Sequence, residues 1–208
     1  MLPIDQKGYE VAIKNYLSKE KHGAENLEIV QLDIPVATGF SNETIIFTAA
    51  WEEEGKKITE KFVGRMEPKD GGMFPVQRPG LEKSCYLQHR IMKTVAEQNV
   101  VPVPAILSYE ENLEPLNRSF FAMSFIEGEV PSDNPRYTVE GFLVDSSTPE
   151  ERRRLIESGL KAMAGIHSID WQESGLEWLD SSGSGNPTTQ SQINIWREYS
   201  LLELKGRE

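Results

Sequence analysis

The chain has 208 residues, of which 38% are hydrophobic and 26% are charged, and this composition excludes collagen-like, low-complexity and wholly disordered proteins. Its formal net charge of −11 disfavours nucleic acid and anionic lipid as partners, because both carry negative phosphate groups. One cysteine, an amino terminus without a basic start and apolar run, and no stretch of about 20 apolar residues predict a soluble cytoplasmic protein without a membrane partner.

The first third of the chain predicts one helix followed by three antiparallel strands. Apolar side chains recur at helical spacing over residues 3–21. The pattern then changes to β-branched and aromatic runs over residues 27–36 and 44–51, which are typical of strands. A polar turn at residues 53–56 carries Gly55, as a tight hairpin favours, so residues 58–66 are expected to return as the third strand.

A helix and two more strands complete a predicted five-stranded sheet. Glycines and prolines over residues 68–79 favour an irregular loop, and a helix is expected over residues 81–98 with the polar Gln88 in the middle of its apolar face. Residues 105–109 and 119–126 have strand composition. We therefore assign residues 1–126 to one lobe, and residues 127–208 to a linker and the beginning of a second, helical lobe.

The second part of the chain predicts two further helices. Thr148 is a cap residue followed by proline and, three positions later, by Glu151, which together are a strong helix start. This helix is expected to end near His167, and after a glycine- and serine-rich loop over residues 181–191 a last helical pattern passes through Ile195, Trp196 and Leu202. The expected buried face of the longer helix consists of Leu155, Ile156, Leu160, Met163, Ala164 and His167.

Two places carry residue types suited to phosphate binding. Gly39, Ser41 and Asn42 lie at the first strand turn, where small and hydroxylic residues let backbone N–H groups approach phosphate oxygens, although a plain hairpin turn has the same composition. Lys61 and Arg65 share one face of the third strand. An inward cation there would neutralise phosphates, and the alternative is a solvated strand edge.

Five segments in one order resemble the aminoglycoside phosphotransferase and choline-kinase-like family of small-molecule kinases. They are residues 38–44 (TGFSNET), 62–68 (FVGRMEP), 101–104 (VPVP), 121–128 (FAMSFIEG) and 162–171 (AMAGIHSIDW). The resemblance implies an α+β, protein-kinase-like fold whose amino-terminal lobe has a five-stranded antiparallel sheet and an inserted helix. It also implies ATP and Mg²⁺ as cofactors and transfer of a phosphoryl group to an alcohol.

The resemblance assigns roles to individual residues of a nucleotide site. Gly39, Ser41 and Asn42 would lie over the ATP phosphates and Arg65 would bind them, which leaves Lys61 as the lesser candidate. The remaining assignments concern the base: the Ser124 carbonyl and the Ile126 amide would hold adenine, with Met123 at the back of the pocket.

The helix residue that usually orients the phosphate-binding base in this family is a glutamate, and here it aligns with Gln88. An amide can accept a hydrogen bond from Arg65 but brings no negative charge. Glu82 or Glu97 would have to substitute if an ion pair exists.

The catalytic aspartate and the asparagine five positions after it are expected in the carboxyl-terminal lobe of this family. None of the seven aspartates in the sequence is followed by asparagine at that spacing. His167 and Asp170 match the family's earlier helix-end motif, and we interpret His167 as structural.

We therefore expect an inactive fragment that holds the nucleotide-binding part of the kinase, with no catalytic residue and with the ligands of Mg²⁺ in a missing segment. The alternative is a non-catalytic nucleotide-binding or protein-interaction module derived from the same family. The small-molecule acceptor stays open, and a homo-oligomer is compatible with either reading.

Overall fold

The computed structural model describes residues 6–34, 42–68, 83–180 and 188–204. The strands and helices in chain order are α1 (Gln6–Glu20), β1 (Glu25–Asp33), β2 (Glu43–Glu53), β3 (Lys56–Met66), α2 (Ser84–Gln98), β4 (Ile106–Leu113), β5 (Arg118–Ser124), α3 (Phe142–Asp145), α4 (Pro149–His167) and α5 (Thr189–Leu204). No helix in the described ranges is long and apolar enough to cross a membrane.

The five strands form one antiparallel sheet in the order β1-β2-β3-β5-β4, which confirms the predicted five-stranded antiparallel sheet. The β2–β3 hairpin turns at Glu54 and Gly55, whose φ angles are 52° and 73°. Two successive residues with positive φ are typical of the tight hairpin turn that matches the twist of the strands. The polar turn predicted at residues 53–56 is therefore confirmed.

Helix α1 covers one face of the sheet and forms the main core with it. Its buried side chains include Ile13, Tyr16 and Leu17, and they pack with aromatic residues of β2, β3 and β5. The Tyr16 hydroxyl donates to the Ser108 carbonyl at 2.7 Å and accepts from the Ala122 amide at 3.2 Å, beside an irregularity in the β4–β5 ladder. Burial raises the pKa of this phenol well above its ordinary value.

Helix α2 lies on the opposite face of the sheet, over strands β4 and β5. Its His89 ring contacts Phe121 with centroids 5.2 Å apart, and its Tyr86 ring contacts Tyr109 at the same distance. Cys85 and Val95 are its buried residues. We call the surface that carries this helix the α2 face of the sheet.

Two contacts among the described residues join the carboxyl-terminal part to the sheet lobe. A Cβ atom on Gly165 of α4 would lie 2.9 Å from the Val100 carbonyl oxygen, so only glycine lets the helix approach this backbone so closely. The guanidinium of Arg90 in α2 lies 4.1 Å from the ring centre of Trp178. The predicted capping of α4 is confirmed, because Thr148 and Glu151 form a reciprocal capping box.

The predicted buried face of α4 is wrong. The helix contains no buried residue, and Ile156 is 63% exposed. Leu155, Leu160, Met163, Ala164 and His167 are likewise exposed. Periodicity identifies the side chains that share a face, but it does not tell whether another element covers them.

Several predicted boundaries also differ from the structure. Helix α1 ends at Glu20, α2 begins at Ser84 because Lys83 is extended, and β5 ends at Ser124. The linker contains the short helix α3, which the sequence did not predict, and α5 is longer than the expected last helix. The first five residues, the predicted loop from residue 69 onward and most of the loop after residue 180 lie outside the described ranges.

Candidate functional site

Arg65 lies on the α2 face of strand β3, half-buried beneath helix α2. The alternating burial of Phe62, Gly64 and Met66 places these three residues on the α1 side, and therefore Arg65 on the other. Gly64 is needed there, because a Cβ atom would lie 2.6 Å from the Phe120 ring. The sequence prediction that Lys61 and Arg65 share a face agrees with this pattern.

Among the residues that the structure describes, two side chains accept hydrogen bonds from Arg65. Its Nε donates to Gln88 Oε1 at 3.2 Å, and a second guanidinium N–H donates to the Thr44 hydroxyl across the β2–β3 ladder. Burial lowers the pKa of the guanidinium from its ordinary value, because desolvation disfavours the charged form. No carboxylate pairs with Arg65 among the residues that the structure describes.

Asn42 connects Gln88, one of the two partners of Arg65, to the start of helix α2. Its Nδ2 donates to Gln88 Oε1 at 3.0 Å, and its Oδ1 accepts from the Ser84 hydroxyl at 2.5 Å. The residue is only 3% exposed, so its side-chain amide is directed at α2. The structure thus brings Asn42, Arg65 and Gln88 into one hydrogen-bonded group.

Glu67 fixes the first turn of α2 to the end of strand β3. Its carboxylate accepts from the Ser84 amide at 3.1 Å and from the Cys85 amide at 2.7 Å, and its Oε1 also lies 3.0 Å from the Ser84 hydroxyl oxygen. These amides belong to the unsatisfied N–H groups of a helix start, where a negative charge is also favoured by the helix dipole. Glu67 therefore holds the amino-terminal end of the helix that carries Gln88 against strand β3.

Glu43, the other acidic residue near this site in sequence, has its partners on the α1 side of the sheet. Its carboxylate pairs with Arg118 at 2.6 Å and accepts from the Tyr9 hydroxyl at 3.3 Å. The Arg118 side chain is 9% exposed and its Nε also donates to the Glu67 carbonyl at 2.7 Å. Neither Glu43 nor Glu67 is thus available to neutralise Arg65.

An apolar row crosses the α2 face beside Arg65. The strand register pairs Ile46 with Val63, Val63 with Met123, and Met123 with Ile106. All four residues are half-buried. Val63 is two residues from Arg65, so the row lies about 7 Å along the strand from the cation. A ligand with a flat apolar ring can pack on the apolar row while an anionic group attached to the ring reaches Arg65.

Strand β5 ends beside this row, and two backbone groups at its end have no backbone partner in the described ranges. The Phe125 amide donates to the Lys61 carbonyl at 3.0 Å, which makes Phe62 and Ser124 a non-hydrogen-bonded pair and leaves the Ser124 carbonyl directed away from β3. The Ile126 amide donates to no backbone carbonyl of the described ranges, and the residue is 66% exposed. The two groups that the resemblance gives to adenine thus have no backbone partner among the residues that the structure describes.

The other predicted residues are placed as follows. Lys61 is exposed, with its ammonium 3.8 Å from the Phe125 ring centre, and Glu97 is exposed near the far end of α2. Gly39, Ser41 and Glu82 lie outside the described residues.

Sequence reasoning missed Thr44, Glu67 and Ser84 as members of the site. The sequence contains a signal for two of these residues: Glu67 shares the strand face of Arg65, and Ser84 precedes Gln88 by one helical turn.

The described residues contain no group of three or more His, Cys, Asp and Glu side chains that could hold a metal ion.

Comparison with known families decides the family of this chain. The model of the phosphotransferase enzyme family (APH) matches residues 35–205, and this range includes strand β2, Arg65, helix α2 and the end of β5. The chain belongs to this family. The family is one of phosphotransferase enzymes, in agreement with the resemblance noted in the sequence.

One curated relative of this phosphotransferase-family chain is a much longer protein. It is a probable acyl-CoA dehydrogenase, IBR3, of Arabidopsis thaliana, and the two sequences are 25% identical over 121 residues. The matched part is 58% of this chain and 13% of that protein. The chain thus spans about an eighth of the relative's length.

Proposed function

We propose that this chain provides the nucleotide-binding part of an ATP-dependent kinase that phosphorylates an alcohol group of a small molecule. Membership of the phosphotransferase family supports the reaction class, and the arrangement on the α2 face supports the nucleotide. The observation that carries the proposal is a partly buried Arg65 that no carboxylate of the described ranges pairs with, next to an apolar row on the same face of the sheet.

The proposed nucleotide pose follows from the geometry of this face. The adenine ring covers Val63 and Met123 and forms hydrogen bonds with the Ser124 carbonyl and the Ile126 amide. The phosphates extend along β3 toward Arg65, whose remaining N–H groups can donate to phosphate oxygens. Gly39 and Ser41 are proposed to cover the phosphates, since backbone N–H groups in such turns bind anions.

Calorimetric titration with ATP tests this pose, with Arg65→Gln as the variant and Lys61→Gln as the matched control. Both cations are on the same strand face, but only Arg65 is partly buried and held by α2. We expect Arg65→Gln to weaken ATP binding at least about tenfold, in the range of one lost charged hydrogen bond, and Lys61→Gln to change it less than about threefold. No binding by the unmodified protein, or equal losses in the two variants, would refute the pose.

A second candidate function is nucleotide binding without phosphoryl transfer, in a regulatory or interaction module. The sequence favours it in one respect, because no aspartate of these 208 residues has the asparagine five positions later that the family uses in catalysis. The reading frame after codon 208 separates the candidates. A following segment with that aspartate and asparagine supports the kinase, and a stop codon supports the module.

A further inference from the structure

We propose that Asn42 is a positioning residue: it orients the Gln88 amide so that the Gln88 oxygen holds Arg65 without compensating its positive charge. This inference rests on the proposed function, because it concerns the cation that would meet the nucleotide phosphates. The Gln88 amide is a neutral group at the position where the family usually has a glutamate.

A side-chain amide has two chemically different ends. Gln88 can present either an oxygen acceptor or an NH₂ donor, and only the oxygen can pair with the Arg65 Nε–H group. Asn42 Nδ2 donates to the same Gln88 oxygen, at 3.0 Å, while Arg65 Nε donates at 3.2 Å. Two donors converging on one atom exclude the flipped amide, which would place donor against donor.

Asn42 is in turn fixed by the first turn of α2. The Ser84 hydroxyl lies 2.5 Å from Asn42 Oδ1 and 3.0 Å from Glu67 Oε1, and its single proton serves the closer acceptor. The order of donors therefore runs from Ser84 to Asn42 to Gln88. Ser84 and Gln88 are four residues apart in α2, so Asn42 joins two side chains on one face of the helix.

Burial makes this arrangement costly to break. Asn42 is 3% exposed, so a lost hydrogen bond would leave a polar amide without water to replace the partner. Gln88 and Arg65 are only half-buried and would keep several orientations if the Asn42 contact were removed. Asn42 is thus the buried residue that restrains Gln88, and Arg65 is the residue on the α2 face where the nucleotide is proposed to bind.

The neutral partner matters because of the charge around it. The chain carries a net charge of −11, which repels a polyanion such as ATP at long range. Glu43 is paired with Arg118, and Glu67 is occupied by the start of α2. A glutamate at position 88 would neutralise the guanidinium, whereas an amide restricts its orientation and leaves the charge for phosphate.

The first test measures hydrogen exchange of the Arg65 Nε–H group by NMR in the nucleotide-free protein. The variants are Asn42→Ala, Gln88→Ala and the double variant, with Asn42→Ser as a milder replacement that keeps the fold if Asn42→Ala does not. We expect each single variant to speed exchange at least about fivefold, and the double variant to exchange no faster than Gln88→Ala, because Asn42 acts through Gln88. Wild-type exchange in the Asn42 variants, or additive effects, would overturn the proposal.

The second test compares ATP with adenosine as ligands of Gln88→Glu. If the neutral partner preserves the charge, this variant binds ATP at least about fivefold more weakly, with a shallower salt dependence, and binds adenosine within about twofold of the unmodified protein. Unchanged or tighter ATP binding would overturn the charge argument. A wild-type protein that binds neither ligand would refute the proposed function instead, and the exchange measurement would still decide the role of Asn42.

Discussion

Substitution of Glu67 by glutamine should weaken the connection between strand β3 and helix α2. The carboxylate accepts two hydrogen bonds from the backbone amides of Ser84 and Cys85 at the start of the helix. Glutamine keeps one acceptor oxygen and turns an NH₂ group toward a backbone donor. The lost bond to a charged acceptor is worth about 1.5–3 kcal/mol, and loss of the negative charge at the helix start adds about 0.3–1 kcal/mol.

We therefore expect Glu67→Gln to lower the free energy of unfolding by about 2–4 kcal/mol, a large part of the roughly 5–15 kcal/mol typical of a domain. Urea unfolding followed by circular dichroism measures it. Glu60→Gln is the matched control, because Glu60 pairs with Lys21 at 3.0 Å on the surface, where an ion pair contributes about 0–1 kcal/mol. Glu67→Gln and Glu60→Gln with equal unfolding free energies would refute the assignment of Glu67 as the anchor of α2.

Three further predictions concern other parts of the fold. Gly165→Ala should unfold at lower urea than Gly159→Ala, by about 1–3 kcal/mol, because a Cβ at Gly165 meets the Val100 carbonyl while one at Gly159 meets nothing within 4 Å; equal stabilities would contradict this. Thr148→Ala should cost about 0.5–2 kcal/mol through loss of the α4 capping box, and an unchanged thermal midpoint would speak against it. Burial raises the pKa of the Cys85 thiol to about 12, so its contribution to stability is complete below the unfolded value of roughly 8.5 and is lost as the pH rises toward the folded value. The urea midpoint should accordingly decrease as the pH is raised from about 8 to about 10.5, and it should decrease less in Cys85→Ala. Parallel pH profiles of the unmodified protein and Cys85→Ala would exclude the Cys85 thiol as the cause of the decrease.

The sequence predicted the sheet well because its signals are local. The hairpin at Gly55 follows from a turn that needs positive φ, and the face of Arg65 follows from the two-residue period of a strand. The polar Gln88 in an apolar helix face was an anomaly in the pattern, and its bond to Arg65 explains it.

The parts that could not be predicted depend on contacts distant in sequence. Asn42 stands in a glycine- and serine-containing stretch typical of a turn, yet its partner Gln88 is 46 positions away and its side chain is buried. The apolar period of α4 was real, but its exposure depends on what packs against it, and periodicity carries no such information. Local pattern placed Lys61 and Arg65 on one strand face and the family resemblance selected Arg65, while the network that holds Arg65 required the fold.

The most direct test of the central claim is a methyl NMR titration with ATP that compares Ile46 with its neighbour Ile45. Ile46 belongs to the apolar row on the α2 face, whereas Ile45 is fully buried in the core beneath α1. We predict that saturating ATP shifts the methyl signals of Ile46, Val63 and Met123 and leaves those of Ile45 nearly unchanged. Shifts confined to other surfaces, or signals of the apolar row that do not respond to ATP, would contradict a nucleotide site on this face.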